Sequence, residues 1–146
     1  MRKLMILLSF SLAIFLISSN GNAQTDEQSS KVTNNMVQVI DFHSTHRCAT
    51  CNAIEKKTKE ALNEYFKKEM DNGTVTFQTI NVDKEKNLEI SEEFEAFGTS
   101  LFLNIIKDGK SEKIDLTDFA FTYAKKNDDS FEKGFVKEMN KALNKL

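Results

Sequence analysis

The order of elements in this chain predicts an α/β domain, a βαβ half followed by a ββα half around a central four-stranded mixed sheet. Three observations carry that reading. An apolar run rich in β-formers, Met36 to Phe42, passes directly into residues with helical spacing. Asp108-Gly109 is a strong two-residue hairpin signal between two later strands. The last apolar residues, Phe131, Phe135, Met139, Leu143 and Leu146, recur every three or four positions, as on one face of a final helix.

Taken in order, Met36 to Phe42 suits a buried central strand. From Cys51 onward, Ile54, Thr58, Ala61, Leu62, Tyr65, Phe66 and Met70 line one helical face. Glu55, Lys56, Lys59, Glu60, Glu64, Lys67 and Lys68 cover the other side as a solvated face with i,i+4 pairs. Asp71-Asn72-Gly73 ends this helix. Thr74 to Val82 alternates as a second strand. Lys84 to Phe97 reads as a short helix closed by Gly98, with Leu88, Ile90, Phe94 and Phe97 as its apolar members. Leu101 to Ile106 is the third strand, and Ser111 to Leu116 the antiparallel edge strand. Phe119 to Ala124 reads as a helical turn and 127–130 as a loop. The phenylalanine-rich pattern is core packing rather than a cofactor box, and no cofactor is expected.

The chain has 146 residues, and its start has the build of a secretory signal peptide. Arg2 and Lys3 precede an apolar run, Leu4 to Ile17, and Gly21 and Ala23 precede a cleavage point before Gln24. The run is shorter than the ~20 residues that a spanning helix needs. Residues 1–23 are therefore expected to be removed, 24–35 to form a flexible polar tether, and 36–146 to form the domain. The expected location is periplasmic or extracellular. Without Arg2 and Lys3, the 20 basic residues become 18 against 22 acidic, a net charge of about −4. No basic cluster is present, so nucleic acid is not an expected partner.

The chemistry is expected between the first strand and the first helix. The stretch from Asp41 to Cys51 holds the only two cysteines, Cys48 and Cys51, and the only two histidines, His43 and His46. Two thiols at this spacing can form a small disulfide ring or hold one metal ion. The N–H groups at the helix start favour an anion, so Cys48 should be acidified, and Arg47 pushes the same way. An oxidising compartment lets a disulfide persist. A bond closing so small a loop removes little chain entropy, so the pair reads as chemistry rather than a staple.

With the CxxC pair at the first strand-to-helix turn, Met36 to Leu146 resembles the thioredoxin-like superfamily. Phe42-His43, Arg47-Cys48-Ala49-Thr50-Cys51, Ile54-Glu55 and Thr99-Ser100-Leu101 resemble, more narrowly, small exported proteins labelled as a nitrophenyl-compound nitroreductase subunit. That label carries no expectation of nitroreduction here, because no flavin-binding sequence is present. The resemblance implies that Cys48 attacks and Cys51 resolves, with the two forming a disulfide. It places Asp41 near the position where the family keeps a buried acid that helps deprotonate the second thiol, although one residue further from the first cysteine than is usual. A one-residue slip can turn a strand side chain to the other face.

Two departures stand out. The chain has no proline, so Gly98-Thr99-Ser100 occupies the loop where a cis-proline normally faces the cysteines, and a trans bond is expected there. The tryptophan usual before the first cysteine is replaced by Arg47, preceded by His46. Thr99, Ser100 and His46 are the candidate substrate-binding residues.

The reading is thus thiol–disulfide exchange on protein disulfide or dithiol partners, with a membrane thiol carrier as a hypothetical source of electrons. Two alternatives stay open. The same cysteines, with His46 or His43, could bind Cu, Zn or a thiophilic metalloid such as As, although CxxC supplies only two of the roughly four ligands that a closed zinc site needs. The fold could also serve as a redox-inert interaction module.

Overall fold

β1 (Met36–His43) is the strand on which the other elements are assembled. The computed structural model describes residues 35–126 and 129–146, so the expected signal peptide, the tether as far as residue 34, and residues 127–128 of the expected loop lie outside the described residues. β1 pairs in parallel with β2 (Val75–Asn81) and antiparallel with β3 (Ser100–Lys107). β3 pairs antiparallel with β4 (Lys110–Asp115), giving one sheet in the order β2-β1-β3-β4. That strand order and those directions make the thioredoxin-like α/β arrangement. The β3–β4 turn is the expected Asp108-Gly109 hairpin, and both residues take positive φ, 51° and 75°.

β1 is bonded along both edges and covered on both faces, and the period-2 alternation divides the core between those faces. Val37 and Val39 of β1, with Leu101, Leu103 and Ile105 of β3, pack under α1 (Ala49–Tyr65) and α5 (Ser130–Leu143). Ile40, Phe42 and Phe102 point the other way, against Phe94 and Ala96. β4, by contrast, is exposed except at the half-buried Ile114, and four of its six residues are charged.

Several boundaries differ from expectation. α1 starts at Ala49, because the residue before it already caps the helix, and it does not run on to Met70. The chain breaks at Phe66 (φ −127°, ψ 19°) and resumes as α2 (Lys67–Asp71). Phe66 is buried at this break, whereas Tyr65 is 45% exposed and donates its hydroxyl hydrogen to Glu132. The expected helix over 84–97 is a 3-10 turn, Glu85–Asn87, followed by a short α3 (Leu88–Glu93). It closes at Glu95, which takes φ 52°, before Gly98 is reached. That turn buries Ala96 and puts Phe97 in solvent at 81% exposure; Leu88 is exposed as well. The turn at 119–124 is a full helix, α4 (Thr117–Tyr123), and Ser130 is already helical. Asn35, the expected end of the tether, is tied to the domain: its Oδ1 accepts from the Asp108 N–H at 3.0 Å.

Gly134 of α5 lies directly against the Phe119 ring of α4. A Cβ there would lie 2.3 Å from Phe119 Cε2, and that ring is already held against Phe131 and Tyr123. Gly134→Ala gains about 0.5–1 kcal/mol of helix propensity but overpacks the contact, which costs about 1–3 kcal/mol. A net loss of roughly 1 kcal/mol is expected in denaturant unfolding. An unchanged or raised midpoint would show that the Phe119 ring yields freely.

Candidate functional site

The site is built where β1 ends and α1 begins. Cys48 is exposed and is the N-cap of α1, with extended backbone (φ −77°, ψ 165°). Its Sγ accepts a hydrogen bond from the Cys51 N–H at 3.0 Å. A sulfur takes the place that a serine or aspartate oxygen normally fills at a helix start. Cys51 lies one turn in and is buried. The two are joined as a disulfide, with Cα atoms 5.0 Å apart. No acidic residue occupies the first turn, so nothing on the helix itself offsets its positive end.

The loop that delivers Cys48 is tied down on two sides. Toward β2, the Thr45 N–H donates to Asp83 Oδ2 at 2.6 Å, and Asn81 Nδ2 donates to Thr45 Oγ1 at 3.2 Å. The Thr45 bond is the main reason the Asp83 carboxyl is held below its usual range. Toward β1, Arg47 Nη2 donates to Asp41 Oδ2 at 3.0 Å, and its Nη1 donates to Glu55 Oε2. Lys59 completes the row by donating to the other Glu55 oxygen.

Asp41 shares its side of β1 with Val37 and Val39, and it is completely buried. It therefore faces α1, despite its unusual distance from Cys48 in the chain. Burial pushes its carboxyl up from 3.8 to about 6, against the pull of the Arg47 guanidinium. Its Oδ1 and the Arg47 Nε are buried with no hydrogen-bond partner among the described residues. Glu55 is held below the usual carboxylate range by the hydrogen bond from Lys59 and by Arg47.

The remaining candidates sit at the same end of the sheet. Ser100 is the antiparallel partner of Phe42, so Thr99 and Ser100 meet the end of β1 from which the cysteine loop leaves. No cis peptide bond occurs among the described residues, and the Thr99–Ser100 bond is trans as expected. His46 is exposed in the loop. His43 Nδ1 lies 2.9 Å from the Ser44 carbonyl oxygen. Among the described residues, no three His, Cys, Asp or Glu side chains come together as a metal-binding group.

Sequence reasoning missed Glu55, Asp83 and Asn81. Glu55 belongs to the ion-pair bridge rather than to a wholly solvated face, and its side chain is only 19% exposed. Its i,i+4 spacing from Lys59 looks like any surface pair, and nothing in the sequence signals Arg47 as a second partner.

A thioredoxin-like fold with a joined CxxC pair at its first strand-to-helix turn fits thiol–disulfide redox chemistry. No protein-family model matches the chain, and no curated protein matches it. Solved structures do resemble it. The oxidised form of mitochondrial thioredoxin 3 from Saccharomyces cerevisiae is 25% identical, with a TM-score of 0.41, over 62% of this chain and 76% of that one. A thioredoxin from Fasciola hepatica is 22% identical, with a TM-score of 0.39, over 56% of this chain and 69% of that one. Chloroplastic thioredoxin z is 18% identical, with a TM-score of 0.38, over 60% of this chain and 77% of that one.

Proposed function

We propose that this is an exported thiol–disulfide exchange protein that acts on protein partners through Cys48 and Cys51. The observation that carries the proposal is the position of Cys48. It is exposed, it caps α1, and it already receives the Cys51 N–H, so its thiolate would inherit the same donor and the same positive helix end. In the reducing direction, the Cys48 thiolate attacks a partner disulfide, displacing one partner sulfur as thiolate and forming a mixed disulfide. Cys51 then loses its proton and attacks Cys48, releasing the second partner sulfur and closing the Cys48–Cys51 bond. The reverse sequence oxidises a partner dithiol.

Asp41, beneath α1, is the group proposed to hold the Cys51 proton, and Thr99, Ser100 and His46 are the residues proposed to meet the partner. Export is supported by the basic start, the apolar run and the small residues before Gln24. Electrons would then arrive from another thiol protein, with a membrane carrier as the proposed source. The narrower likeness to the exported nitroreductase-subunit group rests on its quoted residues alone.

Equilibration of the purified protein in glutathione buffers, followed by thiol alkylation, tests the exchange reading. The pair should interconvert fully between dithiol and disulfide, and the reduced form should reduce oxidised glutathione. Titration of the reduced protein with Zn(II) against a chelator runs alongside. Metal held in preference to exchange would instead favour the binding alternative, which has two sulfurs and, among the described residues, no assembled third ligand.

A further inference from the structure

We propose that Arg47 is a positioning residue for the redox pair, a clamp that ties the buried Asp41 carboxylate to α1 through Glu55 and so sets the charge held under the helix that carries the cysteines. This role rests on the exchange reading above. The geometry brackets the pair. Arg47 directly precedes Cys48, and Glu55 follows Cys51 by four residues, one helical turn along the same face. One guanidinium spans both carboxylates, so strand, loop and helix are joined across the base of the cysteine loop.

The charges around Asp41 make the clamp consequential. The ionisable groups acting on it are Arg47 from the loop, Glu55 from α1 and His43 from the end of β1. Lys59 reaches it only through Glu55, and its cross-strand neighbours, Thr79 and Leu101, carry no charge. Asp41 is therefore a buried acid with one close cation, and its second oxygen has no donor. Arg47 is the main group opposing the burial that favours the neutral acid.

Reduction by a dithiol donor breaks the Cys48–Cys51 bond and takes up two electrons. It leaves Cys48 as a thiolate and Cys51 as a thiol, with one proton gained, or two thiols with two protons gained. An ionised Asp41 opposes the new thiolate, and a protonated one does not. By holding Asp41 ionised, Arg47 shapes how the potential of the pair varies with pH.

The test uses the full-length protein in two readouts. The first is titration of the Asp41 side-chain carboxyl by NMR in the oxidised state. The second is the potential of the pair in dithiothreitol buffers from pH 5 to 8. Arg47→Gln should raise the Asp41 midpoint by about one pH unit or more, and Arg47→Lys by less. Glu55→Gln should lower it, because a competing carboxylate is removed. The bend in potential against pH should move with the midpoint in each case. A merely structural Arg47 would shift stability and leave these midpoints where they are.

If Arg47→Gln does not fold, the opposite displacement by Glu55→Gln and the partial one by Arg47→Lys still decide the matter. Unmoved midpoints with normal exchange overturn the clamp and leave the exchange reading standing. A wild-type pair that equilibrates with dithiothreitol but neither reduces nor forms mixed disulfides with any protein disulfide overturns the exchange reading on protein partners, and this role with it.

Discussion

Cys51→Ser should turn this protein into a trap. Its remaining thiol would attack partner disulfides, and nothing would resolve the mixed species. Covalent complexes should accumulate and disappear on addition of dithiothreitol. Cys48→Ser should trap nothing and show only the background rate of exchange, because the thiol left at position 51 is buried. The asymmetry follows from the helix start. Cys48 caps α1 and accepts the Cys51 N–H, an environment that lowers a thiol from its free value of ~8.5. The thiolate fraction of the reduced Cys48 at pH 7 should therefore exceed that of a free thiol. Alkylation of the Cys51→Ser protein across pH measures this directly. A Cys48 midpoint at or above the free value, together with no trapped complexes, would remove Cys48 as the nucleophile.

Asp41→Asn should stabilise the protein at neutral pH. The Asp41 carboxyl titrates at about 6 in the folded state against 3.8 as its ordinary value. Between those values the folded protein holds a proton that the unfolded chain has released. Stability conferred by the neutral acid is therefore complete below about pH 4, is lost as pH rises to about 6, and changes no further above that. The interval corresponds to about 3 kcal/mol. An amide mimics the neutral acid and can still accept from Arg47. The variant should thus gain on the order of 3 kcal/mol at pH 7, a rise of roughly 10 °C in Tm, and almost nothing at pH 4. Urea unfolding of both proteins at the two pH values checks this. An equal gain at both would assign the effect to packing instead of ionisation. The same variant should exchange more slowly if Asp41 holds the Cys51 proton, so stability and rate should move in opposite directions.

Much of the architecture was legible because it is written in local patterns. Strand alternation, the Asp108-Gly109 turn and the spacing of Phe131, Phe135 and Met139 all depend on neighbours a few residues away. The break at Phe66 was not legible, since Tyr65 and Phe66 both suit an unbroken helical face, and only the packing decides which of them turns inward. The end of α3 was misplaced because the left-handed residue there is Glu95, not the glycine three positions on. The cysteines, and the place of Cys48 near a helix start, could be read from spacing, but its capping of α1 could not. The partners of Arg47 could not, because Asp41 and Glu55 reach it from a strand and a helix that the sequence cannot orient. The side of the sheet taken by Asp41 became clear only from its sharing a face with Val37 and Val39.

The sheet ends at β4, where Lys110, Glu112, Lys113 and Asp115 alternate in sign along a strand bonded on one side only. An edge so charged resists the addition of a foreign strand, since any incoming backbone would have to strip water from those groups without compensation. Recruitment by lengthening the sheet is therefore disfavoured along this margin. The exposed sulfur lies instead at the opposite tip of the molecule from the hairpin, clear of this edge.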